Sequence, residues 1–102
     1  MTELGLRKAI IATALAMNAH GINRGKSGNV SARWKDGFLI TPADIVFVDA
    51  GGEPHGRRAP SSEWRFHHDI YRSRAQSQAV VHAHPSFATT LACLRRDVPA
   101  FA

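Results

Sequence analysis

The chain has 102 residues, 44% of them hydrophobic, and its 13 Lys and Arg against 8 Asp and Glu give a net charge of +5. That length supports one small domain rather than two, and the apolar share excludes intrinsic disorder as the organising state. The single cysteine, Cys93, excludes an internal disulfide, and no apolar run approaches the ~20 residues that a membrane-spanning helix needs.

The first predicted element is a helix over Thr2 to Ala19. Leu6, Ile10, Ala14 and Met17 fall on one face, and Ile11 and Leu15 widen the stripe. Thr2 can cap its start, Gly21 can end it in a left-handed conformation, and His20 suits the negative end of the dipole. Asn23 to Asn29 is a polar loop with two glycines, which let backbone approach an anion closely. The spacing is not that of a Walker A loop.

Val30–Trp34 and Phe38–Thr41 flank Lys35-Asp36-Gly37, a hairpin signal. Thr41-Pro42-Ala43-Asp44 is a turn with proline in its favoured second position. Ile45 to Val48 is an unbroken apolar run and predicts a strand covered on both faces. Asp49 to Pro60 is rich in glycine and proline, a surface loop with room for a short turn of strand. Ser61 or Ser62 then caps a helix running to about Arg74. Trp64, His67, Ile70 and Tyr71 lie on its inner face, and Arg65, Asp69 and Arg72 on the outer one.

Ala79-Val80-Val81 leads into His82-Ala83-His84 and is stopped by Pro85, which reads as a buried strand. A last helix is expected from Phe87 to about Arg95, with Cys93 buried and inert beside Leu91, Ala92 and Leu94. Val98 to Ala102 resembles the entry to another strand. A chain halting there leaves pairing groups open, which predicts a fragment or half of an obligate assembly. The order of elements describes an α/β sandwich with helices packed on a sheet.

The chemistry concentrates in three places. Side chains two apart on a strand share a face, so His82 and His84 can fill two corners of a divalent-metal site. The alternative is two half-buried structural histidines. Glu63 follows two serines at a helix start. That is good capping chemistry, and it is also an anion site with a carboxylate able to move a proton just beyond it. His67, with Trp64 and Tyr71, reads as a satisfied core histidine. The arginines are scattered, without the basic stripe and interleaved aromatics of a nucleic-acid surface. A small phosphorylated substrate fits the charge better. With no basic region leading into an apolar core at the N-terminus, the expectation is a cytoplasmic protein with neither membrane nor nucleic acid as partner.

Gly28-Asn29-Val30-Ser31-Ala32-Arg33, Leu39-Ile40-Thr41-Pro42, Ile45-Val46-Phe47-Val48-Asp49, Ser61-Ser62-Glu63-Trp64-Arg65-Phe66-His67 and Val80-Val81-His82-Ala83-His84-Pro85 together resemble the class II aldolase/adducin family. Within the family the sequence is most similar to the L-fuculose-phosphate aldolase branch. The resemblance implies a three-layer sandwich with a mixed, mostly antiparallel sheet, of which residues 1–102 would be the N-terminal portion. It implies zinc-dependent cleavage of a ketose 1-phosphate, such as L-fuculose 1-phosphate, to dihydroxyacetone phosphate and an aldehyde. His82 and His84 would be zinc ligands and Glu63 the acid/base. Gly28, Asn29, Thr41, Ser61 and Ser62 would hold the phosphate, and the assembly would be a homotetramer.

Epimerases, dehydratases and decarboxylases of the family share much of this pattern, and the adducin branch uses it for association. Two departures stand out. The family's third zinc histidine falls beyond residue 102. A short loop after Thr41-Pro42 is missing, leaving Asp44 where its charge would repel a phosphate.

Overall fold

Alternation along the strands gives the sheet two apolar faces, and each face has its own helix. The computed structural model describes residues 2–21, 28–41, 45–56, 59–83 and 93–95. In chain order these form α1 (Glu3–Ala19), β1 (Asn29–Trp34), β2 (Gly37–Ile40), β3 (Val46–Val48), β4 (Pro54–His55), α2 (Trp64–Ser73) and β5 (Ala79–His82). The strands make one sheet in the order β4-β3-β2-β1-β5, and each described pairing is antiparallel. No helix among the described residues is long and apolar enough to cross a membrane.

The ends of α1 are set by its sequence. Thr2 Oγ1 accepts from the Gly5 N–H at 3.0 Å, and Gly21 leaves the helix at φ +69°. Ile10 and Met17 are buried, with Leu6 and Ala14 packed beside them. Ile11 and Leu15 do not widen this stripe: they are 39% and 63% exposed. Each lies one residue past an inward position, roughly 100° around the helix axis, and so turns away from the sheet.

Val30, Ala32, Leu39 and Ile45 meet α1 on one face of the sheet. Phe38, Ile40 and Val48 meet Tyr71 and Trp64 of α2 on the other. The result is the expected helix–sheet–helix sandwich, with β4 as the short turn of strand in the 49–60 loop. The β1–β2 hairpin turns on Lys35-Asp36, with Lys35 at φ +52°, and Gly37 already belongs to β2. A Cβ on Gly37 would lie 1.9 Å from the Val48 carbonyl oxygen, so close strand approach there demands glycine.

Three expectations need correction. First, α2 starts at Trp64, with Glu63 in the cap position and no side-chain cap. Ser61 Oγ instead accepts from the Glu63 N–H at 3.3 Å and the Ser61 carbonyl from the Trp64 N–H at 3.0 Å, a local turn that competes with capping. Second, β5 is an edge strand: Val80 and His82 are half-buried, whereas Ala79 and Val81 are exposed. Among the described residues it pairs only with β1, and none of them covers its other edge. Third, Cys93 is exposed. Outside the described residues lie His84, most of the 23–29 loop, Pro42 to Asp44, most of the expected last helix and the segment 98–102.

Candidate active site

The polar residues singled out from the sequence gather at one end of the sheet. β1 begins at Asn29, β2 ends just before Thr41 and β5 ends at His82, and antiparallel pairing brings these points together. Asn29 stands opposite His82 in the ladder. The Thr41 N–H donates to the Val30 carbonyl at 3.1 Å, and Thr41 Oγ1 accepts from the Val30 N–H at 3.4 Å. The Ser61 N–H donates to the Thr41 carbonyl at 3.0 Å, tying the start of α2 to the same place. Gly28 is half-buried beside Asn29, and Ser62 is exposed in the turn before α2.

Glu63 then reaches back over the sheet. Its Oε2 lies 2.6 Å from His82 Nδ1 and accepts from Asn29 Nδ2 at 2.7 Å. Phe66, in the first turn of α2, meets the His82 ring edge-on with centroids 5.7 Å apart. A carboxylate on one ring nitrogen is the usual means of orienting a metal-bound imidazole, so this pair suits a divalent cation. Among the described residues no three His, Cys, Asp or Glu side chains cluster to hold one.

Beneath this pair the polar chain continues into the core. Asn29 Oδ1 is hydrogen-bonded to His67 Nε2. His67 Nδ1 lies 2.5 Å from Ser31 Oγ, which lies 2.7 Å from the Tyr71 hydroxyl. Asn29, Ser31, His67 and Tyr71 are all buried, Ser31 and His67 completely. Strand alternation explains the set: Asn29, Ser31 and His82 point to the α2 face, and His67 and Tyr71 are four apart on α2. Burial holds the His67 imidazole neutral, with its pKa lowered to about 4; the His82 ring adds to that effect and Glu63 opposes it. Burial also raises the pKa of Tyr71, against smaller opposing contributions from Ser31, Arg33 and Val80. The Arg33 guanidinium lies 4.8 Å from the centre of the Tyr71 ring.

Asn29, Thr41, Ser61, Glu63 and His82, expected to share a site, stand at the same end of the sheet. Ser31, given no role from the sequence, and Tyr71, expected only on the inner face of α2, join them through the core. His67, expected as a core residue, is fully buried and also bridges Asn29 and Ser31. The available signal was a serine at an inward strand position opposite a His-Tyr pair at helical spacing.

The Class II Aldolase and Adducin N-terminal domain family matches residues 8–102. The chain is 48% identical over 110 residues to the 5-methylthioribulose-1-phosphate/5-deoxyribulose-1-phosphate aldolase of Rhodospirillum rubrum, covering 98% of this chain and 50% of that protein. It is 44% identical over 105 residues to the L-fuculose phosphate aldolase of Escherichia coli K12, covering 93% and 49%. A solved L-fuculose 1-phosphate aldolase superposes with a TM-score of 0.89 at 34% identity, covering 98% of this chain and 53% of that one. The chain thus spans about half the length of these relatives.

Proposed function

Since the chain belongs to the class II aldolase and adducin family, we propose that it is the N-terminal part of a cytoplasmic, zinc-dependent, homotetrameric aldolase acting on a ketose 1-phosphate. The observation that carries this reading is the contact of Glu63 Oε2 with both His82 Nδ1 and Asn29 Nδ2. It joins a proton-moving group, a metal-type ligand and an anion-type donor from three separate elements. Relatives named for L-fuculose phosphate and for 5-deoxyribulose 1-phosphate support the substrate class.

In this reading His82 and His84 hold the cation, and a bound zinc ion would supply positive charge to the ketose carbonyl oxygen. Asn29, Thr41 and Ser61, with Gly28 and Ser62 beside them, anchor the phosphate and fix the reacting carbons in place. Cleavage passes the bonding pair to the carbon next to the carbonyl, which then needs a proton. Glu63 is the carboxylate placed to hold and return that proton. The hydroxyl on the departing carbon gives its proton to water as that carbon leaves as the aldehyde, and dihydroxyacetone phosphate is the second product.

The test is release of dihydroxyacetone phosphate from L-fuculose 1-phosphate and from 5-deoxyribulose 1-phosphate, with zinc added or chelated. Calorimetric zinc titration of the chain and of its His82→Ala/His84→Ala form accompanies it. Zinc heat lost in the double variant supports the site, and identical traces remove it. A second reading is an adducin-like association module. It is favoured by the exposed Leu4, Leu15, Phe66 and Val81, and it predicts a stable oligomer that forms without zinc.

A further inference from the structure

The buried polar line below Glu63 has a direction that its chemistry fixes. An ionised carboxylate only accepts hydrogen bonds. Asn29 therefore presents Nδ2 to Glu63, 2.7 Å away, and its Oδ1 faces His67. That oxygen also only accepts, so His67 Nε2 carries the ring proton. Nδ1 is then the acceptor, and Ser31 donates to it across 2.5 Å. The Ser31 oxygen keeps lone pairs for the Tyr71 hydroxyl at 2.7 Å. Each donor points the same way, from Tyr71 through Ser31, His67 and Asn29 to Glu63.

We propose that His67 is a positioning residue: held as its Nε2–H tautomer by Ser31 and Tyr71, it fixes the amide orientation of Asn29 and so seats the Glu63 oxygen against His82. The functional meaning of that seating rests on reading Glu63 as the proton carrier. The other tautomer would leave His67 Nε2 without a hydrogen and Asn29 turned, with its carbonyl oxygen against the carboxylate. A turned Asn29 would satisfy the bare Nε2 but set two acceptors against each other at Glu63, an unturned one would do so at His67, and in a site this buried either unmade hydrogen bond is expensive. A neutral imidazole agrees with the arrangement. A second ring proton would make Nδ1 a donor and reverse the line at Ser31.

The experiment is nitrogen-15 NMR of the chain at pH 7, reading the His67 ring tautomer and the exchange rate of the Asn29 side-chain amide. The expected ring is Nε2–H. In His67→Phe, which keeps an aromatic ring beside Phe38 but has no N–H, Asn29 side-chain exchange should rise about tenfold or more, the loss expected for a buried hydrogen bond. Backbone amides of Ala32 and Leu39 should keep their rates, which a general loosening of the sheet would not allow. His67→Gln, with an N–H near the old Nε2, should restore Asn29 to within about threefold of wild type. An Nδ1–H ring in the wild type, or unchanged Asn29 exchange in His67→Phe, overturns the proposal. Should His67→Phe fail to fold, Ser31→Ala takes its place. Loss of the Nδ1 donor should leave the Nε2–H ring in place, because Asn29 and Glu63 still demand it, but move the signal of the unprotonated Nδ1 and speed Asn29 side-chain exchange; an unmoved Nδ1 signal overturns the proposal. None of these readouts needs catalysis, so the expected tautomer in a chain that cleaves no ketose phosphate would support this proposal and count against the aldol reading alone.

Discussion

Acidifying the folded chain from pH 7 to pH 4 should remove roughly 3 kcal/mol of stability through His67. Burial lowers the pKa of this imidazole from 6.5 to about 4. The unfolded chain keeps the ordinary value, so between those limits it binds a proton that the folded chain refuses. Stability from this group is complete above pH 6.5 and drains at about 1.4 kcal/mol per pH unit as the pH falls. Below about pH 4 both states carry the proton and the loss stops. The groups facing His67 are His82, which adds to the depression, and Glu63, which opposes it. Asp49 acts elsewhere: its carboxylate is held below the ordinary 3.8, chiefly by His55, so its contribution is lost only as the pH falls beneath this window. The assay is urea denaturation at four pH values from 7 to 4, for the wild type and His67→Gln. The difference in their stabilities should slope by about 1.4 kcal/mol per pH unit from 6.5 to 4 and be flat above. Parallel curves would refute the account of a desolvated neutral histidine.

Other outcomes follow from the packing and the site. Gly37→Ala should lower the urea midpoint by an amount equal to roughly 1–3 kcal/mol, because its Cβ would collide with the Val48 carbonyl. Leu39→Ala, at a side chain with no exposed surface, should cost about 2–5 kcal/mol by the same measurement. Thr2→Ala should cost about 1 kcal/mol and fray the start of α1, seen as faster amide exchange at Gly5. If dihydroxyacetone phosphate release is detected, Glu63→Gln should reduce it by about 10²–10⁴-fold with the far-ultraviolet circular dichroism unchanged.

The parts of this fold governed by local chemistry were legible in the sequence. Thr2 and Gly21 bound α1, Lys35-Asp36 turns the hairpin, and the spacing of His67 and Tyr71 sets the inner face of α2. What depended on neighbours was not legible. Ile11 and Leu15 look as apolar as Ile10 and Ala14, and only the width of the sheet beneath α1 decides which are covered. The run Ala79 to Val81 reads as buried because its composition is apolar, yet Ala79 and Val81 are exposed on a strand that, among the described residues, stands at the sheet edge. The site divides in the same way. Glu63 and His82 announce themselves by residue type and context. Ser31 and His67, 36 positions apart, become one device only when strand alternation and the packing of α2 set them 2.5 Å apart.

Glu63 and His82 are proposed to share one cation-attracting site, with Asn29 beside them. Titration of the isotope-labelled chain with cobalt(II), followed by paramagnetic broadening of its amide signals, tests it directly. The account predicts that Asn29, Glu63 and His82 broaden together at the lowest cobalt additions, while Glu3 to Arg7 of α1 stay sharp. Broadening centred first on His20, His55 or His68, with Glu63 and His82 unaffected, would contradict it.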